Sequence, residues 1–159
     1  TARSEPVFGG VYKLAAVEDD EGNIIPKIKV SENVEKITIP HFKKVYRFYG
    51  RDTGKAIADL ITLHDEQVDD TQDLFDPMAT WKKKTVYNFT ARELLVPVFL
   101  KGKRVYDSPS LPEIQAYCRQ QVDTLWDEVK RFDNPHKYVV DLSRKLWDIQ
   151  QELLRSSQR

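Results

Sequence analysis

The chain has 159 residues, enough for one domain with a buried core. Its 25 Lys+Arg balance 25 Asp+Glu, a zero net charge that argues against a dedicated nucleic-acid binder. The one cysteine, Cys118, excludes an intramolecular disulfide and a multi-cysteine zinc site and fits a reducing, cytoplasmic compartment; no apolar run is long enough for a membrane span.

In chain order, Gly9-Gly10 precedes an apolar run from Val11 to Val17, predicted as a strand. Gly9 and Gly10 can let backbone amides approach a phosphate, with Lys13 as a nearby cation; the plainer reading is a tight turn and a solvated lysine. Residues 18–23 form a loop whose Gly22 and Asn23 tolerate positive φ. Lys27 to Val30 and Lys36 to Ile39 alternate as half-buried strands, the second stopping at Pro40. Residues 44–63 read as a hairpin turning over Gly50 to Gly54. The stretch from His64 to Asp76, rich in Asp and Glu, and the lysines at 82–84 beyond Pro77 read as an exposed loop with a charge switch. Lys101-Gly102-Lys103 signals another hairpin between Leu94 and Tyr106.

The last third is predicted helical. Ser110-Leu111-Pro112-Glu113 is a capping box with proline in the first turn. Ile114, Cys118, Val122, Leu125, Val129 and Phe132 then form one apolar stripe, which makes Cys118 a small buried hydrophobe. Asp141 reads as the N-cap of a second helix carrying Leu142, Leu146, Ile149 and Leu153. Trp126 and Trp147 are expected to pack between elements. The fold class is α+β: antiparallel hairpins over 26–106, then helices over 110–133 and 141–156.

Few positions carry a chemical signal. His41, His64 and His136 lack ligand spacing, and the acidic residues of 65–76 do not fit a calcium loop, so no metal site is expected. Lys43 to Tyr49 interleaves bases with aromatics as a single-strand platform can, but a two-sided strand gives the same letters.

Six phrases resemble the C-terminal region of nicotinate phosphoribosyltransferase, particularly its bacterial branch. They are Phe8-Gly9-Gly10-Val11-Tyr12-Lys13-Leu14, residues 26–33 from Pro26 to Asn33, Lys36-Ile37-Thr38-Ile39-Pro40, Lys43-Lys44-Val45-Tyr46-Arg47, residues 89–97 from Phe89 to Pro97, and residues 140–147 from Val140 to Trp147. They occur in register along the whole chain. The resemblance implies a parent enzyme that joins nicotinate to phosphoribosyl pyrophosphate, giving nicotinate mononucleotide and pyrophosphate with ATP hydrolysis, as a homodimer using Mg²⁺. It implies that residues 1–17 end an α/β barrel, supplying its last strand, and that 18–159 form the appended domain. It places the phosphoribosyl loop, the phosphorylated histidine and the nicotinate-binding arginines before Thr1. No catalytic residue, bound cofactor or isolated activity is therefore expected here, and the chain's own role is structural, with the rest of the enzyme as partner. A non-catalytic binding or scaffold module is the alternative.

Overall fold

The computed structural model describes residues 9–77 and 79–157. They divide into two units, Thr1–Phe42 with Asp148–Arg159, and Lys43–Trp147. The part of the barrel-strand expectation that falls on residues 1–8 lies outside the described residues.

In the first unit, β1 (Ala16–Glu18) and β2 (Ile24–Pro26) form an antiparallel pair. Their loop closes on Asp19, whose Oδ1 accepts the amides of Glu21 at 3.0 Å and Asn23 at 2.8 Å, while Gly22 takes φ 84°. The strand predicted from Val11 thus begins only at Ala16. Neither Lys27–Val30 nor Lys36–Ile39 forms the predicted strand, and a 3₁₀ turn occupies Val34–Lys36. The two segments meet instead at buried Thr38, whose amide donates to the Lys29 carbonyl at 3.3 Å and whose hydroxyl accepts the Lys29 amide at 3.2 Å. One residue meeting one residue replaces a ladder.

The second unit is organised by an eight-residue hairpin, β3 (Lys43–Gly50) and β4 (Ala56–Leu63), where the sequence predicts one. β7 (Phe89–Glu93) pairs antiparallel with β3, and β10 (Val140–Leu142) pairs parallel with β4, giving the order β10-β4-β3-β7. β4 is therefore interior, and its alternation of aliphatic residues on two faces is nearly continuous in burial. Tyr46, Phe48, Ala58, Leu60, Leu74, Val86 and Phe89 make the core, with the Phe48 and Phe89 rings stacked at 4.4 Å.

The acidic stretch before Pro77 is not all loop. Its end is β5 (Gln72–Asp76), antiparallel to β6 (Ala79–Val86), which holds the three lysines. Leu74, Phe75, Ala79 and Val86 are buried, and Thr85 donates to the Asp73 carboxylate at 2.7 Å. The charge switch thus lies across a strand pair, in which Lys83 and Lys84 stand opposite Phe75 and Leu74. A tight turn at Lys101 and Gly102, both at positive φ, joins β8 (Phe99–Leu100) to β9 (Lys103–Arg104), as predicted.

Among the described residues three α-helices replace the predicted two. α1 (Leu111–Asp123) starts where Glu113 reaches back to the Ser110 amide at 2.7 Å, but it stops at Thr124. There the Thr124 hydroxyl bonds the Gln121 carbonyl at 2.6 Å, the Ala56 amide takes the Thr124 carbonyl at 2.9 Å, and the Lys55 ammonium takes the Asp123 carbonyl at 2.8 Å. A lysine from the hairpin turn thus satisfies the helix C-terminus and ends it. One short turn, α2 (Asp127–Lys130), follows. The expected stripe is open: α1 buries no residue, Cys118 is exposed rather than buried, and Phe132 is fully exposed. Among the described residues α1 is held by polar contacts, such as the Tyr49 hydroxyl on Gln121 at 3.0 Å.

Of the stripe predicted for the second helix, α3 (Arg144–Ser156) buries Leu146 fully and Ile149 and Leu153 partly, while Leu142 is buried in β10. Its cap is Ser143, not Asp141: the Leu146 amide donates to Ser143 Oγ at 3.3 Å, and that hydroxyl donates to Glu66 at 2.6 Å. Asp141 is the middle residue of β10. The local cap signal at Asp141 loses to pairing with β4, which makes one strand of the otherwise antiparallel sheet parallel.

These burials predict a contrast. Leu60→Ala, deep in β4, should lower unfolding free energy by about 2–5 kcal/mol. Cys118→Ser should change it by less than about 0.5 kcal/mol, both read by urea denaturation.

Candidate functional site

The N-terminal residues singled out from sequence lie on one exposed stretch ahead of β1. A Cβ built on Gly9 or Gly10 would meet nothing within 4 Å, and neither residue is at positive φ, so among the described residues nothing there demands glycine. The Lys13 ammonium donates to the Lys36 carbonyl.

The most organised polar cluster was not anticipated. Arg47 on β3 and Asp59 on β4 are register partners, which places their side chains on one face. The guanidinium grips both carboxylate oxygens, at 2.8 and 2.9 Å. The Tyr138 hydroxyl donates to the same carboxylate at 2.9 Å, and the Arg47 guanidinium lies 5.7 Å from the Tyr138 ring centroid. The hydrogen bond to Asp59 raises the Arg47 pKa further, and burial, followed by the Asp59 charge, pushes the Tyr138 phenol up. Both shifts run further away from neutrality, and the cluster is a structural clamp.

Beside this clamp opens a cleft of about 320 Å³. Ile57, Leu74 and Val140 are among its apolar wall residues, and Lys82, Lys83, Lys84 and Lys137 also line it. Asp76 and Asp141 also line it. Asp141 is 5% exposed, and burial, then the charge of Asp76, pushes its carboxyl up to about 6, with Lys137 opposing. The sequence shows Lys82 to Lys84 only as a charge run. Lys137 and Asp141 join them because β10 pairs with β4, a tertiary event without a local signal.

Among the described residues no group of three or more His, Cys, Asp or Glu converges as metal ligands, and no helix is long and apolar enough to cross a membrane. The geometry defines a mixed α+β domain whose strongest polar cluster holds the sheet together and whose cleft is suited to binding.

The family model described as nicotinate phosphoribosyltransferase C-terminal domain matches residues 42–150. The chain is similar to the nicotinate phosphoribosyltransferase of Bacillus subtilis, 42% identical over 149 residues, which are 92% of this chain and 30% of that protein. It is similar to the Caenorhabditis elegans protein of the same name, at 35% identity over 92% of this chain and 26% of that one. The crystal structure of human nicotinic acid phosphoribosyltransferase superposes with a TM-score of 0.66 at 26% identity, covering 74% of this chain and 24% of that one. The chain therefore belongs to the nicotinate phosphoribosyltransferase C-terminal domain family. It spans less than a third of the length of these relatives.

Two outcomes test this electrostatic account. Asp59→Ala, which strands the Arg47 charge, should cost about 3–5 kcal/mol in urea unfolding, whereas Tyr138→Phe should cost about 1 kcal/mol. The Asp141 carboxyl, at about 6 when folded against an ordinary 3.8, holds its proton more tightly in the folded state. Folding stability attributable to it is therefore present below pH 3.8 and lost as pH rises through 6. The stability difference between Asp141→Asn and the parent sequence should grow across that window, in favour of Asn, and then level off. Parallel pH profiles would refute the assignment.

Proposed function

We propose that this chain serves as the C-terminal domain of a nicotinate phosphoribosyltransferase. The complete enzyme would join nicotinate to phosphoribosyl pyrophosphate, releasing pyrophosphate, with ATP hydrolysis coupled to the reaction. The observation that carries the reading is the 42% identity to the Bacillus subtilis protein across 92% of this chain.

In such a reaction positive charge builds on the sugar ring as pyrophosphate leaves, and the protein mainly positions and stabilises charge. Mg²⁺, ATP and the catalytic groups are proposed to belong to the remainder of the parent enzyme, a cytoplasmic homodimer. In this reading residues 1–17 complete a barrel, with Gly9, Gly10 and Lys13 near its phosphate-binding end. The domain's own contribution is structural. The open apolar stripe of α1, with Ile114 and Val122 about half exposed, supports a role in covering surface of the remainder.

The test is a replacement. Exchange of the matching segment of the Bacillus subtilis enzyme for this chain should preserve ATP-dependent formation of nicotinate mononucleotide, and deletion of that segment should reduce it. The purified chain alone should give no product; turnover by it would overturn the structural assignment.

A further inference from the structure

The cleft between β6 and the segment leading into β10 has no role in the reading above. Three properties define it. The first is an unbalanced cationic rim. Lys82, Lys83, Lys84 and Lys137 line the cleft, and none forms an ion pair with a carboxylate of the described residues. Among the described residues, two carboxylates, Asp76 and Asp141, line it with them.

The second is Asp141 itself. The residue is 5% exposed, yet it lines the cleft, and its carboxylate accepts no hydrogen bond from any described residue. A buried carboxylate without donors is unfavourable, and such a group in a cleft asks for donors from a ligand. The charges of Asp76 on β5 and Lys137 ahead of β10 act on it, and the three β6 lysines and Tyr138 line the same cleft. The Tyr138 hydroxyl is already committed to Asp59 at 2.9 Å.

The third is the wall. Ile57, Leu74 and Val140 give an apolar surface within a volume of about 320 Å³, a size suited to a small organic molecule rather than to a bare ion.

We propose that this cleft binds a phosphate ester of a hydroxylated compound, a sugar phosphate or nucleotide, with the phosphate on the lysine rim, hydroxyl groups donating to Asp141, and any ring against the apolar wall. Lysines act here as point charges on the phosphate. Asp141 supplies discrimination, because a ligand without hydroxyls leaves its carboxylate unpaired. The site stands independently of the family reading: it is built within Lys43–Trp147, and its failure would leave the replacement experiment untouched.

The experiment is titration calorimetry on the full 159-residue chain at one fixed ionic strength, with AMP, ribose 5-phosphate, inorganic phosphate and sulfate as probes. AMP and ribose 5-phosphate should bind at least about 10-fold tighter than inorganic phosphate, a difference of about 1.4 kcal/mol. Tighter binding of AMP than of ribose 5-phosphate identifies a nucleotide site; equal binding identifies a sugar-phosphate site. Lys137→Ala and Lys84→Ala, at surface positions that can change without unfolding the sheet, should each weaken AMP by about 5- to 10-fold. Asp141→Asn should weaken ribose 5-phosphate while leaving inorganic phosphate unchanged. Equal affinity for all four probes would mean an adventitious ion only and would overturn the proposal. Absence of binding by the folded chain, or AMP binding indifferent to both lysine variants, would overturn it equally.

Discussion

The architecture of the larger unit depends on one carboxylate. Asp59 sits in the middle of β4, an interior strand that would otherwise carry aliphatic residues, and is 7% exposed. A charge there is tolerated because Arg47 binds it through two hydrogen bonds and Tyr138 adds a third. The backbone repeats the arrangement, since the Asp59 amide donates to the Val139 carbonyl at 3.0 Å. Side chain and main chain of one residue thus bind the strand on one side and the incoming segment on the other. The clamp fixes which residues of β10 face β4, and that register brings Lys137 and Asp141 to the cleft.

A second hinge of charge lies at the far end of β4. Glu66 accepts the Leu63 amide at 2.7 Å and the Ser143 hydroxyl at 2.6 Å, and the Ser143 amide donates to the Ile61 carbonyl at 2.8 Å. The chain leaves β10 and starts α3 within a single residue, because Ser143 is both a ladder donor and a helix cap. Neutral overall charge conceals this segregation. Carboxylates and lysines are distributed so that some lock strands together, while the β6 lysines remain along a cleft wall.

What the sequence discloses is what short-range chemistry decides. The 44–63 hairpin, the Lys101-Gly102 turn and the inward face of α3 were legible because turn residues and periodicity act over a few positions. The strands β5 and β6 were obscured by their charges: the buried Leu74, Phe75, Ala79 and Val86 are scattered among acids and lysines, and Trp81 is exposed. The helix break at Thr124 was invisible because its agent, Lys55, is remote in sequence. Asp141 displayed a genuine cap signature that parallel pairing overrode. The same long-range pairing assembles the cleft, so a site made of a lysine run and a supposed helix cap could not be recognised from either part alone. Gly9 and Gly10 belong to one of the six phrases that carry the family resemblance, which is a different matter from lining a pocket.

The lone parallel strand has a consequence for how the chain is made. β4 is complete once Leu63 has emerged from the ribosome, but its remaining edge stays unpaired until Val140 to Leu142 follow. During that interval a flat, aliphatic strand displays open hydrogen-bonding groups to every other nascent chain nearby. Closing it requires contact between segments far apart in sequence, which is entropically slow. Synthesis order, rather than the stability of the finished sheet, therefore sets the moment at which this polypeptide is most prone to aggregate.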